Sequence, residues 1–153
     1  MKKRFAWIVS LGMSFCAASG PAPPVQLDVG SESCRSCRML VSDPRRAAQI
    51  VAPSEEPLFF DDIGCLRDYL AGGNSLPAGA VAYVADHRTK AWITASKAVY
   101  TRNASVDTPM GSHLLAHTDA ASRAADPEAR EGTPLSPRDV FGLSGPPDGT
   151  SKP

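Results

Sequence analysis

The sequence predicts an α+β domain of short antiparallel strands and helices. Apolar runs of three to five residues recur between turn-forming residues, as half-buried strands require. Other stretches space their apolar residues at helical intervals behind an acidic or hydroxyl cap. The order strand, strand, helix occurs in both halves, so two β-β-α-β units are expected. Identity between the halves is too weak to make a repeat by itself.

The elements follow in order. Ala47-Ala48-Gln49-Ile50-Val51 and Leu58-Phe59-Phe60 are divided by Pro53-Ser54-Glu55-Glu56 and read as a hairpin. Asp61 or Asp62 caps the next helix, where Ile63, Leu66 and Leu70 share one face. Gly72-Gly73-Asn74 stops it. Val81-Ala82-Tyr83-Val84 and Trp92-Ile93-Thr94 are strands across a turn at His87-Arg88-Thr89-Lys90. In the second half, residues 98–101 and 113–116 are strand-like, and 119–125 is an alanine-rich helix capped by Thr118 or Asp119. A last short helix starts at Ser136, with Pro137 in its first turn.

The ends are different in kind. Met1-Lys2-Lys3-Arg4 followed by about a dozen mostly apolar residues is too short for a membrane span of roughly 20. Residues 1–18 therefore read as a secretory signal, which places the mature chain in an oxidising compartment. Two processing routes are open. Met13-Ser14-Phe15-Cys16 resembles a lipoprotein signal ending before Cys16, although Phe15 stands where a small residue is wanted. Ordinary cleavage after Ala18 or Ser19 is the other route. Residues 19–33, rich in Pro and Ala, read as a flexible linker, 34–142 as the domain, and 143–153 as a disordered tail.

Composition excludes several classes. The 16 basic and 16 acidic side chains balance, with no basic run beyond the signal, so nucleic acid is not an expected partner. No GxGxxG, P-loop, HExxH or Ser/His/Asp pattern occurs, and the expectation is a binding protein rather than an enzyme.

The chemistry concentrates in sulfur. Cys34-Arg35-Ser36-Cys37-Arg38-Met39 puts two thiols and a thioether within six residues. Thr108-Pro109-Met110-Gly111-Ser112-His113 carries the other methionine beyond the signal. A CxxC can be a structural or redox disulfide, and periplasmic thiol-disulfide chemistry at Cys34 and Cys37 is the alternative function. A zinc site would want four ligands and lacks a second CxxC. Met39 favours Cu(I), because thioethers suit it and a polar loop offers no packing reason for one. Pro109 and Gly111 make a turn that holds Met110 outward. His113 is a candidate nitrogen ligand or supporting group. His117, near a strand end, reads as solvated. Cys65, in the helix after Asp61-Asp62, is open between packing, ligation and a disulfide.

Together these blocks resemble the NosL family. Cys-x-x-Cys-x-Met leads into Val41-Ser42-Asp43-Pro44-Arg45 and Ala47-Ala48-Gln49-Ile50. Phe60-Asp61-Asp62-Ile63-Gly64-Cys65, Trp92-Ile93-Thr94-Ala95 and Thr108-Pro109-Met110-Gly111-Ser112 follow in the family's order. The resemblance covers residues 34–125. It implies a periplasmic or outer-membrane copper-binding lipoprotein of two β-β-α-β units, related in fold to organomercurial lyase domains. It further implies a Cu(I) metallochaperone for nitrous oxide reductase or a related copper enzyme. Its partners would be that copper-accepting protein and a membrane-bound maturation complex, with membrane attachment only through Cys16. By motif, Cys37, Met39 and Met110 are the implied Cu(I) ligands, and Cys34 and His113 complete the candidate set. Phe15 departs from the lipoprotein pattern, and His113 stands where a small residue is expected.

Overall fold

The computed structural model describes residues 21–142 and 145–149. The expected signal and Cys16 lie outside them, as do residues 143, 144 and 150–153. The elements run β1 (Ala48–Val51), β2 (Leu58–Phe60), α1 (Ile63–Ala71), β3 (Val81–Ala85), β4 (Trp92–Thr94), β5 (Val99–Arg102), β6 (Leu114–His117), α2 (Ala120–Ala125), α3 (Pro127–Arg130), β7 (Thr133–Leu135) and α4 (Pro137–Phe141). Every pairing in the two sheets is antiparallel, in the orders β2-β1-β3-β4 and β6-β5-β7.

The two expected β-β-α-β units are visible in that topology. In each, the first strand is central: β1 lies between β2 and β3, and β5 between β6 and β7. A helix follows the hairpin and returns the chain to the far side of that central strand. The strand closing the second unit is β7, which the sequence hides because Pro134 sits in its middle. Proline is tolerated there since β7 is an edge strand, and an edge has N–H positions that need no partner.

One apolar core serves both sheets. Ile50 and Phe60 from the first, Tyr100 and Leu114 from the second, and Ile63 and Leu66 from α1 belong to one buried cluster. Burying each such side chain contributes about 1.5–3 kcal/mol. α1 therefore lies where the two sheets meet, and its first turn is buried from Ile63 to Leu66. Asp62 is its N-cap, with the side chain accepting from Gly64 N at 2.6 Å. Asp61 instead accepts from Ser42 N at 2.8 Å and so holds the preceding loop.

Both ends are more closely held than their composition implies. Within the stretch read as a linker, Val25 exchanges two hydrogen bonds with the buried amide of Gln49, at 2.9 and 3.1 Å. Tyr83 Oη donates to Ala22 O, and Gly30 N to Val41 O. This explains why β1 is buried on every residue: its second face is covered by the N-terminal segment. In the tail, residues 145–149 are not free either, since Ala82 N donates to Pro147 O and Gly149 N to Ala80 O. Open backbone positions beside β3, past the end of β4, supply the partners that a composition reading cannot see.

Asp86, just after β3, ties the halves together and makes acid stability testable. It is fully buried and accepts from Arg88 N, Thr89 N, Thr118 N, Thr118 Oγ1 and Ser122 Oγ. Burial favours its neutral form, yet those donors hold its pKa well below the usual carboxylate range. A depressed folded pKa stabilises the protein above the unfolded value, about 3.9, and that contribution is lost as pH falls through the folded pKa. The urea midpoint is therefore expected to drop between about pH 4 and pH 2. In Asp86→Asn the acid-dependent part should shrink by about 2 kcal/mol. An unchanged acid limb in that variant would refute the assignment.

Candidate metal centre

The loop from Ser33 to Leu40 is pinched shut at its base, where these two residues bridge. Cys34 N donates to Met39 O at 2.7 Å and Arg38 N to Cys34 O at 3.0 Å, with Arg38 in the left-handed region at φ 67°. Arg35 N donates to Phe59 O, which fixes the loop to β2. So tight a turn forces its side chains apart. Cys34 points into the core with no exposure, Cys37 is half-buried, and Met39 stands 53 % exposed.

Beneath that loop lies Cys65, third residue of α1 and nearly buried. The Sγ atoms of Cys34, Cys37 and Cys65 all fall within 4.8 Å of one another, and all three thiols are free. Cys37 N approaches Cys34 Sγ at 3.5 Å. A hydrogen bond from the Cys65 thiol, working against burial, brings the Cys34 pKa down to about 4, helped by main-chain donors at Asp61, Cys37 and Ser36. Cys65 is pushed up in return, first because it holds the proton of that hydrogen bond and then by burial. Burial also pushes Cys37 up. Cys34 is thus the most acidic of the three thiols, and the cluster is an electron-rich pocket for a soft cation.

The second sulfur loop meets the same helix end. Met110 N donates to Asp62 Oδ2 at 3.1 Å while Asp62 Oδ1 caps α1, so one carboxylate positions both. Close approach is secured by Gly64, where a Cβ would lie 2.6 Å from Ser112 Cβ. Thr108 and Ser112 hydroxyls brace the turn, and Met110 is left 48 % exposed. Large apolar side chains this exposed are few among the described residues: Val29, Met39, Leu40 and Met110. Both methionines belong to that group, and neither fills a core gap.

Of the five residues singled out from sequence, Cys34, Cys37, Met39 and Met110 are thus carried by two loops anchored at the N-terminus of α1. His113 serves its own loop: its ring Nδ1 donates to Val106 O at 2.8 Å and its backbone is left-handed, φ 57°. Cys65, which the Asp62 cap places in the first helical turn, joins the sulfur cluster. His117 is not solvated. It has no exposure, because α2 and α3 fold back over the end of β6, and it contacts Asp126.

A family model described as NosL matches residues 24–140, and the chain belongs to the NosL family. No curated protein matches it. Among solved structures, it is similar to the crystal structure of the copper chaperone NosL from Shewanella denitrificans, with a TM-score of 0.57 and 17 % identity. The match covers 74 % of this chain and 94 % of that one, and it shows a shared fold.

Proposed function

We propose that this NosL-family chain is an exported Cu(I) metallochaperone. The observation that carries the reading is the cluster of three cysteine sulfurs at the start of α1, flanked by two loops that each carry an exposed methionine. Soft thiolate and thioether donors select Cu(I) over harder ions. The similar protein of known structure is a copper chaperone, which supports the same cargo.

Cys37, Met39 and Met110 hold the metal in this reading, with Cys34 and Cys65 behind them. Exposure grades outward, from buried Cys34 and Cys65 through half-buried Cys37 to Met39 and Met110. Transfer follows that grade. An acceptor's ligands replace the outer thioethers first, and Cys37 releases last. Binding at Cys37 displaces its proton, so affinity rises with pH.

The thiol-disulfide alternative fits less well. The activated sulfur of the pair is Cys34, which is buried, whereas attack on a partner's disulfide needs an accessible thiolate.

The recipient we propose is nitrous oxide reductase or a related periplasmic copper enzyme, reached with a membrane-bound maturation complex. Lipidation of Cys16 would keep the domain near such partners. Among the described residues no helix is long and apolar enough to cross a membrane. Anaerobic titration of the reduced mature protein should give one Cu(I) per chain. X-ray absorption should then show a sulfur-dominated first shell, and a shell of nitrogen and oxygen alone would refute the proposal.

A further inference from the structure

A second set of metal-binding side chains lies at the opposite end of β6. His87 follows β3, His117 ends β6, and Asp126 joins α2 to α3. Their exposures are 4, 0 and 3 %, and one donor atom of each lies within 4.8 Å of the other two. A strand rise of about 3.3 Å per residue sets His117 about 13 Å from His113, well away from the sulfur loops.

The hydrogen bonds in this cluster leave a deficit. His87 Nδ1 and His117 Nε2 both donate to Asp126 Oδ2, at 2.7 and 2.9 Å. Those bonds put one proton on each ring. The other ring nitrogens, His87 Nε2 and His117 Nδ1, are buried without a hydrogen-bond partner. Each such orphan costs about 1–3 kcal/mol. Moreover, His87 Nε2 sits 3.3 Å from Glu128 Oε2, a second carboxylate beside the cluster. Something other than the present protons would satisfy this arrangement better.

We propose that His87 Nδ1, His117 Nε2 and the Asp126 carboxylate bind one divalent transition ion, Zn2+ by its chemistry, with Glu128 accepting from His87 Nε2. Imidazole and carboxylate suit Zn2+ well, whereas Cu(I) prefers sulfur, so the two ends of the strand sort ions by softness. Binding needs no net proton loss: on each ring the proton moves to the other nitrogen as the metal takes its place, which relieves the deficit at His87 and leaves His117 Nδ1 buried as before. His87 Nε2–H then points at Glu128, the carboxylate–histidine–metal arrangement that orients such ligands. Bonds of about 2.0–2.2 Å in a tetrahedron require donors roughly 3.3 Å apart, so the cluster must open by about 0.5 Å. An open cleft lined by Arg45, His87, Arg88, Asp126, Pro127 and Glu128 gives the ion a route in and supplies water as fourth ligand. Of the cations nearby, Arg45 and Arg46 are paired with Asp43, Arg46 also reaches Glu128 Oε2 at 3.8 Å, and Arg88 remains on the cleft wall.

The test uses the mature chain with its thiols first loaded with Cu(I), then titrated with Co2+ as a visible stand-in for Zn2+. One Co2+ should bind with weak d–d bands and no intense thiolate charge-transfer, and Zn2+ should displace it. Asp126→Asn keeps the shape but loses the charge, and His87→Gln removes a ligand on the cleft side. Each should weaken binding by more than about tenfold while circular dichroism stays native. Zinc-edge X-ray absorption on the unmodified protein needs no variant, and imidazole scattering without sulfur supports the site. Sulfur in that shell, no second ion at about millimolar metal, or unchanged affinity in both folded variants would overturn it.

Discussion

Cys37→Ser is expected to lower Cu(I) affinity by more than about 100-fold, beyond the 10–100-fold that loss of a supporting residue costs. Cys34→Ser should keep the metal under reducing conditions and protect binding in air. The two thiols differ in place rather than in distance. Cys37 is the half-buried one, whereas Cys34 has no exposure and belongs to the core. Air joins Cys34 to Cys37 and so removes the anchoring sulfur, and without Cys34 that disulfide cannot form. Competition titrations with a Cu(I) chelator, run with and without reductant, separate the outcomes. Equal losses in the two variants under reductant would move the anchor to Cys34, whose thiolate forms the more readily.

Much of this was legible in the chain because the signals are local. The 58–60 strand, the Asp62 cap and the Gly72 stop are set by neighbours within a few residues, and the structure places α1 between Ile63 and Ala71. The exposure of Met39 and Met110 follows equally from turn residues beside them. What the sequence concealed is set by contacts far along the chain. His117 looked like the end of a strand, and only α2 and α3 folding back bury it against Asp126. β7 was masked by Pro134, whose tolerance depends on the strand being at an edge. Val25 and Pro147 read as linker and tail because their partners, Gln49 and Ala82, lie 24 and 65 residues away. Cys65 is the intermediate case: its helical position was readable, but its closeness to Cys34 was not.

Gly64→Ala is expected to weaken Cu(I) binding by about tenfold or more while leaving the fold nearly as stable. The added Cβ would sit 2.6 Å from Ser112 Cβ and 3.1 Å from Asp62 Oδ1, so the Met110 loop must retreat from α1. That retreat stretches the Met110 N to Asp62 bond and, in the proposed site, moves the thioether out of reach of the metal. Stability is buffered by opposing effects. Overpacking costs about 1–3 kcal/mol, while alanine in place of glycine stabilises a helix by about 1 kcal/mol. Affinity has no such offset, since a soft ligand displaced by an ångström is a ligand lost. Ser112→Gly supplies the control, because it removes the atom that the new Cβ meets. It has a cost of its own, as Ser112 Oγ accepts from Leu114 N and meets Thr108 Oγ1. The double variant should therefore bind Cu(I) more tightly than the two single losses added together, the mark of residues in contact. Strict additivity, or wild-type affinity in Gly64→Ala, would show that the distance between α1 and the Met110 loop does not govern copper binding.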